Sequence, residues 1–304
     1  MNERLSRAAA YIKAHQNPDG GWGYEPGRTS LVEPTGLCSL VLLARGDGAA
    51  AARGLTFLKT CLKPSGAIGI NPGDAEGSWM AYAALLAFHA FGASTEADKL
   101  KAWIMTFEDA SGRFSKDEIA VVAARYRYDA SIPGWAWTPR TTAWIEPTAL
   151  FILALARTGV PASEKRIASG LDLILDRRVP SGGWNFGNPF SKSFELEATA
   201  MSTALALAAL GAAGWPESRP AVAGGIRYLN KSLAGEVSTA TLAWSVVALK
   251  SFTGTRGRAR AEADRLAGLQ STDGGFRGNL FETAIAFLVL SGTSILEPAG
   301  EVVR

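Results

Sequence analysis

Cysteine and histidine are scarce in this sequence of 304 residues. It has two cysteines, Cys38 and Cys61, and two histidines, His15 and His89. So few cysteines argue against a disulfide framework, and so few thiols and imidazoles leave little to bind zinc. We therefore predict a protein without a metal site and without a cofactor.

An excess of charge of one sign is also missing. The 31 Lys and Arg residues against 28 Asp and Glu give a net charge of +3, spread along the chain. Without a basic stripe, we expect no nucleic-acid partner. The first residues carry charges with no apolar stretch behind them, so no signal peptide is predicted and a cytoplasmic location is expected. The longest uncharged run, residues 198–215, is Ala-rich and indicates a buried helix rather than a membrane span.

What the sequence does contain is internal repetition. A Gly-rich turn motif reads QNPDGGWG at residues 16–23, PSGGWNFG at 180–187 and QSTDGGF at 270–276. Each copy precedes an apolar segment of helical length. Repeats of this size indicate stacked helix pairs.

The repeat can be aligned on one small residue early in each apolar helix. The aligned positions lie 46, 67, 51, 42 and 42 residues apart, and they are Thr35, Ala81, Thr148, Thr199, Thr241 and Thr283. The long interval indicates an insertion near residues 112–140, with a short helix over 116–128. Glycine is predicted to end the apolar helices at Gly46, Gly92, Gly159, Gly211, Gly254 and Gly292.

Charge separates the two helices of each pair. The first helices carry Lys, Arg and Asp, whereas the second helices are nearly uncharged, as in residues 37–44 and 200–213. A helix that is apolar all round is buried, and one with a charged face lies at the surface. This pattern predicts one all-α domain over residues 1–304, an (α/α)6 toroid of about six helix pairs. An open solenoid fits the period too, but closure is favoured.

The turn residues have a structural explanation. Paired glycines allow a tight turn, and Asp19 and Asp273 can accept backbone N–H groups there. Gln16 and Gln270 can satisfy the last carbonyls of the polar helices. Aromatic residues such as Trp22 and Trp184 can fill the gap between units. We therefore interpret the motif as structural rather than catalytic.

This repeated turn resembles the terpene cyclase and protein prenyltransferase superfamily, and more narrowly the QW repeats of squalene–hopene and oxidosqualene cyclases. The similarity spans residues 8–292. It implies an (α/α)6 toroid with a central cavity.

Glutamates begin four of the apolar helices. They are Glu33, Glu146, Glu197 and Glu282. A carboxylate in the first turn is stabilised by the helix dipole, which gives each a purely structural explanation. The resemblance offers a functional one. In a toroid these helix starts point toward one mouth of the cavity, so Glu33, Glu146 and Glu282 are expected to line it, and class II terpene cyclases use an Asp-x-Asp-Asp-Thr-Ala motif at such a helix start.

The segment at residues 195–200 reads ELEATA and matches that motif best. By resemblance, Glu197 falls on the proton donor and Glu195 on its first partner. Ala198 replaces the last acidic residue, which removes a partner carboxyl from the acid. Prenyltransferases instead hold a zinc near the last apolar helix, but residues 281–287 contain neither Cys nor His, so we predict no metal.

Aromatic residues cluster near the starts of the apolar helices. Those expected to line a cavity are Trp79, Tyr82, Trp144, Trp244 and Phe281, with Trp135 and Trp137 on the insertion. An aromatic cavity suits an isoprenoid and stabilises carbocations by cation–π attraction. Aromatic core packing is the alternative.

Three functions are compatible with these residues. The first is a class II terpene cyclase-like enzyme that binds an isoprenoid and cyclises it by protonation, with peripheral membrane contact left open. The second is a non-catalytic helical-repeat module that binds a lipid or a protein partner. The third is a carbohydrate-active enzyme that uses two carboxylates in a Trp-lined cleft.

Overall fold

The computed structural model describes residues 1–293 and 295–296, and their secondary structure is almost entirely helical. The helices are α1 (Asn2–Ala14), α2 (Val32–Ala44), α3 (Gly48–Cys61), α4 (Ala81–Ala90), α5 (Ser94–Met105), α6 (Lys116–Tyr126), α7 (Ile145–Arg157), α8 (Lys165–Asp176), α9 (Ala200–Ala212), α10 (Pro220–Ser232), α11 (Thr239–Lys250), α12 (Arg256–Gly268) and α13 (Leu280–Leu290). A short antiparallel hairpin pairs β1 (Phe190–Ser191) with β2 (Phe194–Glu195). Single 3₁₀ turns lie at Ser111–Arg113 and Thr253–Thr255.

Contacts divide the described chain into two compact units. Unit 1 comprises residues 1–106 and 261–296, and unit 2 comprises residues 107–260. The predicted single domain over 1–304 therefore stays a prediction, and each unit is described by itself.

Unit 1 is built on the apolar helix α2. Every residue of α2 from Val32 to Leu42 is buried. This helix packs against the apolar helices α4 and α13, and the more polar helices α1, α3 and α5 pack on those three. The apolar helix α13 therefore packs against the first helix pair, α1 and α2, within one unit.

Unit 2 repeats this arrangement around α9. Apolar α9 packs against α7 and α11, while α8 packs on α7 and α10 packs on α9. The insertion supplies α6, which contacts β1 and confirms the predicted short helix. In both units the nearly uncharged helices are the buried ones, as their composition predicts.

Glycine ends four of the six apolar helices at the predicted positions. Gly46, Gly92, Gly159 and Gly292 have positive φ. The expectation for Gly211 and Gly254 is wrong. Gly211 lies inside α9, which continues to Ala212 before Gly214 takes positive φ, and Gly254 lies in a 3₁₀ turn.

The Gly-rich turns are held by their own polar side chains. Asp19 and Asp273 each accept the N–H of the second glycine, at 3.0 and 2.9 Å, as predicted. The two glutamines do something different from the prediction. The amide of Gln16 donates to the carbonyl of Gly20 at 2.7 Å and to Ala50 of α3 at 2.9 Å. It therefore ties the turn to the next polar helix instead of closing its own helix end.

In three turns, a threonine hydroxyl of the apolar helix that follows makes a pair of hydrogen bonds to the turn, and we call this pair the clasp. The Oγ1 of Thr35 accepts the N–H of Trp22 at 2.9 Å and donates to its carbonyl at 3.3 Å. Thr148 holds Trp135 in the same way, at 2.9 and 3.1 Å. Trp135, expected to line a cavity on the inserted loop, is therefore a fully buried clasp residue.

The clasp corrects the alignment of the fourth repeat. The hydroxyl that holds Trp184 belongs to Thr203, at 2.9 and 3.2 Å, and not to Thr199. Thr199 is the N-cap of α9, and its side chain accepts the N–H of Ser202. Because the hairpin lengthens this loop, the apolar helix begins four residues later than the sequence alignment assumes.

Each clasp tryptophan also packs against a glycine of the next polar helix. A Cβ on Gly225 would lie 2.6 Å from Cζ3 of Trp184. Gly54 meets Trp22 and Gly170 meets Trp135 at similarly short distances. A glycine at these helical positions is therefore required by close packing rather than by a turn.

Among the helices of the described residues, none is both long and apolar enough to cross a bilayer.

We predict opposite effects of alanine at two neighbouring glycines of α10. Gly225→Ala drives a methyl into Trp184 and should lower the free energy of unfolding by about 1–3 kcal/mol. Gly224→Ala is the matched control, because its Cβ would have no atom nearer than Arg178 Nη1 at 3.6 Å. Better helix propensity should leave that variant unchanged or stabilise it by up to about 1 kcal/mol. Urea denaturation of both variants measures the difference, and equal destabilisation would contradict the packing argument.

The register of the fourth clasp can be tested with an isosteric change. Thr203→Val leaves the N–H of Trp184 buried without a partner and should destabilise the fold by about 1–3 kcal/mol. Thr56→Val, on the exposed side of α3, removes a hydroxyl that only supplements a helix carbonyl and should cost less than about 0.5 kcal/mol. Thermal or urea unfolding that fails to separate the two variants would refute the corrected register.

Candidate functional site

Glu33 is a buried carboxyl at the start of α2. It is the second residue of this helix and is 2% exposed. A glutamate is almost never buried to this extent unless other groups satisfy its oxygens. Its partners therefore define the candidate site.

Two tyrosines hold the carboxyl, one on each oxygen. The hydroxyl of Tyr82, the second residue of α4, donates to Oε1 of Glu33 at 2.6 Å. The hydroxyl of Tyr24 donates to Oε2 in a short hydrogen bond. Tyr82 is predicted from sequence, whereas Tyr24 is not, because it lies in the loop between the clasp and α2. Its only sequence signal is its place two residues after Trp22.

Burial dominates the acidity of this group. Removal from water raises the pKa of Glu33 to about 7, and the two tyrosine hydrogen bonds oppose this shift. Burial and the adjacent carboxyl in turn raise the pKa of both Tyr24 and Tyr82 above the ordinary value for tyrosine. The phenols therefore stay protonated as donors, while the carboxyl exchanges its proton near neutral pH.

Further aromatic rings surround the two tyrosines. Trp79 stacks on Tyr82 with ring centroids 6.1 Å apart, and Phe281 meets Tyr24 edge to face at 5.9 Å. Trp79, Tyr24 and Phe281 are partly exposed. We call Glu33, Tyr24, Tyr82, Trp79 and Phe281 the Glu33 cluster. The structure thus unites four of the predicted cavity residues with one that the sequence did not reveal.

The end of the chain fixes the position of Tyr24. The N–H of Leu280, the first residue of α13, donates to the carbonyl of Tyr24 at 2.7 Å. Phe281 follows Leu280 and supplies the ring against Tyr24. The packing of α13 on the first helix pair therefore orients the phenol towards Glu33.

Glu282 lies beside this cluster but does not occupy the equivalent position. It is the third residue of α13, and its N–H is capped by Asn279 at 2.9 Å. Counted from the N-cap, Phe281 is the counterpart of Glu33. The Oε2 atom of Glu282 is buried and has no hydrogen-bond partner.

Glu146 is the counterpart of Glu33 in unit 2. It is the second residue of α7 and is followed by proline and threonine, as Glu33 is. Ser202 Oγ donates to its Oε1 at 3.0 Å, and Thr199 Oγ1 donates to Ser202 Oγ at 2.9 Å. Burial raises its pKa, which the Ser202 hydrogen bond opposes. Glu146 therefore has one hydroxyl where Glu33 has two phenols.

The two predicted tryptophans of unit 2 differ in exposure. Trp144 is the N-cap of α7 and is partly exposed, and its N–H donates to the carbonyl of Trp135 at 3.0 Å. Trp244, on α11, is buried. Neither belongs to the Glu33 cluster.

The structure does not place Glu195 and Glu197 as a buried pair of carboxyls. Glu195 is exposed in strand β2, and its Oε1 accepts the N–H of Ser181 at 2.8 Å, which lowers its pKa. Glu197 is exposed and lies two residues before the N-cap of α9 rather than in the helix. The hairpin that extends this loop causes the difference. The proton-donor role of Glu197 stays a prediction, without the burial that an acid near neutrality requires.

No set of three or more His, Cys, Asp or Glu side chains within residues 1–293 and 295–296 is arranged to hold a metal ion. Cys38 and Cys61 are both buried free thiols.

The raised pKa of Glu33 predicts a pH-dependent stability. The folded carboxyl binds its proton up to pH about 7, against 4.5 for the ordinary group, so its favourable contribution is complete at low pH and lost as pH rises towards 7. Between pH 5 and pH 8 the wild type should lose about 2–3 kcal/mol relative to Glu33→Gln, which cannot titrate.

Urea titrations of both proteins at the two pH values measure this difference. Glu236→Gln, at an exposed loop position, controls for the change of charge. Parallel pH dependence of wild type and Glu33→Gln would show that Glu33 titrates normally.

Known structures share this arrangement of helices. The apo type II terpene cyclase MstE from Scytonema aligns with a TM-score of 0.62 and 17% identity, over 95% of this chain and 96% of that chain. A variant of MstE in complex with geranylgeranyl dihydroxybenzoate, its substrate, aligns with a TM-score of 0.63 and 17% identity, over 95% and 96%. At this identity the likeness shows the fold alone, and it confirms the predicted all-α fold class of the (α/α)6 toroid.

The same fold serves other chemistry. An inactive variant of the α-1,6-mannanase GH76A from Salegentibacter sp. HEL1_6, in complex with α-1,6-mannotriose, aligns with a TM-score of 0.62 and 10% identity, over 97% of this chain and 99% of that chain. No protein-family model matches the sequence, and no curated protein does. The comparisons thus support a terpene cyclase-like fold, while the narrower assignment to squalene–hopene cyclase repeats stays a prediction.

Proposed function

We propose that this chain is a class II terpene cyclase-like enzyme that binds an isoprenoid against the Glu33 cluster and starts its cyclisation by protonation. The observation that carries the proposal is the buried carboxyl of Glu33 between two tyrosine hydroxyls. Glu33 is the proposed proton donor.

The two tyrosines suit this role because they act on the anion that forms. When the proton leaves, negative charge develops on Glu33 in a site that excludes water. Two fixed phenol donors then stabilise the carboxylate without having to reorient. Hydrogen bonds to a charged group contribute about 1.5–3 kcal/mol each. Burial keeps the resting acid protonated, and the tyrosines make it a stronger acid than burial alone would.

The aromatic rings supply the second requirement of this chemistry. Protonation of an alkene or an epoxide leaves a carbocation, which the face of an aromatic ring attracts. Trp79 and Phe281 are partly exposed and flank the tyrosines that hold Glu33. A flexible apolar chain can therefore contact the partly exposed rings that flank the carboxyl.

The shared fold suggests the first substrate to test. MstE acts on geranylgeranyl dihydroxybenzoate, a polyprenyl chain with an aromatic head group. We propose a linear isoprenoid of this class for the present chain. The likeness to a mannanase keeps the carbohydrate-active alternative open, but the Glu33 cluster favours an apolar ligand.

Incubation with linear isoprenoids, their terminal epoxides and geranylgeranyl dihydroxybenzoate tests the proposal. We expect the wild type to form a cyclised product with the elemental composition of the substrate, or with one added water, detected by mass spectrometry and gas chromatography. Glu33→Gln should lower the rate by at least about 100-fold, because general-acid catalysis commonly contributes that much. Glu236→Gln is the matched control and should retain activity.

Each other outcome has a definite meaning. If Glu197→Gln abolishes the product and Glu33→Gln does not, the proton donor is Glu197, as the sequence motif suggests. Binding of an isoprenoid without any product supports the non-catalytic lipid-binding alternative. The absence of both binding and product would refute an isoprenoid function.

A further inference from the structure

Tyr24 differs from Tyr82 in its access to solvent. Both phenols donate to Glu33, but Tyr82 is 1% exposed and Glu33 is 2% exposed. Tyr24 is partly exposed and lies in a loop next to exposed Glu25. Of the two tyrosines bonded to the carboxyl, Tyr24 is therefore the one that is partly exposed.

A buried proton donor needs a path by which it regains its proton. In the proposed reaction, Glu33 gives its proton to the isoprenoid at the start of each turnover. The cyclised cation later releases a proton to solvent, either from another carbon or from a captured water molecule, so that proton does not return to Glu33. The next turnover must draw one from solvent.

We propose that Tyr24 relays this proton from water to Glu33, an inference that rests on the proposed function. In the step, the O–H bond of Tyr24 breaks and its proton forms the O–H bond on Oε2 of Glu33. A water molecule or hydronium at the surface supplies a proton to the phenol oxygen in the same step. The phenol ends as it began, and the net change is one proton moved from solvent to the carboxylate.

The surroundings of Tyr24 favour this transfer. The backbone bond from Leu280 and the edge contact with Phe281 fix the ring, so that the hydroxyl stays on Oε2. The hydroxyl of Tyr24 already donates to Oε2, so the proton moves along an existing hydrogen bond. Tyr82 bonds to the other oxygen and is enclosed, so it positions and polarises the acid without serving as a route.

Two matched variants separate relay from positioning. Tyr24→Phe and Tyr82→Phe each remove one hydroxyl, keep the ring and weaken the acid, so both should slow the first turnover. Reprotonation of Glu33 affects only the turnovers that follow the first. We expect the ratio of kcat to the single-turnover rate constant to fall at least about 10-fold in Tyr24→Phe and to stay unchanged in Tyr82→Phe.

Chemical rescue adds a measurement that would show no change if Tyr24 had only a structural role. Acetic acid or imidazole, as a soluble proton donor in place of the lost hydroxyl, should restore kcat in Tyr24→Phe without changing its single-turnover rate. Equal loss of both rates in Tyr24→Phe, with no rescue, would show that Tyr24 only positions Glu33 and would overturn the relay.

A second measurement does not depend on turnover. Below pH 7 the protonated carboxyl of Glu33 gives an infrared band that is identified by its absence in Glu33→Gln. After rapid mixing with D2O, the band should shift at least about 10-fold more slowly in Tyr24→Phe than in the wild type or in Tyr82→Phe. Equal exchange rates in all three would overturn the relay, whereas a wild type that exchanges as expected but forms no product would overturn only the cyclase function.

Discussion

The clasp is the interaction on which the rest of this structure depends. A turn between two helices leaves backbone N–H and carbonyl groups that cost free energy if they are buried without partners. The hydroxyls of Thr35, Thr148 and Thr203 each bond the backbone N–H and the carbonyl of the tryptophan before them. All of these threonines and tryptophans are buried. The tryptophan can then pack directly on a glycine of the next polar helix. The clasp therefore fixes where α2, α7 and α9 begin, and this in turn decides which side chains occupy their first turns.

That first turn explains why one repeat differs from the others. Counted from the N-cap, the second position holds Glu33, Tyr82, Glu146, Met201, Ala240 and Phe281 in the six apolar helices. Only two of the six are acids. Glu33 is enclosed by two phenols, whereas Glu146 has a serine and remains partly exposed. Each repeat supplies the same helical backbone at this position. The chemistry of the residue there depends on which side chains of neighbouring elements reach it.

The sequence predicts the helices better than it predicts the site. Apolar helices, Gly-rich turns and the insertion helix are visible because each depends on local composition and periodicity. The fourth repeat is misaligned because Thr199 and Thr203 are both plausible helix-start residues, and only the long-range bond to Trp184 distinguishes them. The place of Tyr24 in the site could not be identified from the sequence, because it depends on a contact with Phe281, which lies far from Tyr24 along the chain. Residues placed by local patterns are predictable, and residues placed by closure of the chain are not.

The contrast between Glu197 and Glu33 shows what a motif match leaves out. The segment ELEATA has the residue types of an acid motif, but the acidity of a carboxyl is set by burial and by its hydrogen-bond partners. At Glu195, a backbone N–H and open solvent favour the charged form, which is the wrong state for a proton donor. At Glu33, burial raises the pKa to about 7, and two phenols are placed to donate hydrogen bonds to the carboxylate. A proton donor is thus defined by the environment that holds its proton and then accepts its charge, and in this fold that environment surrounds Glu33.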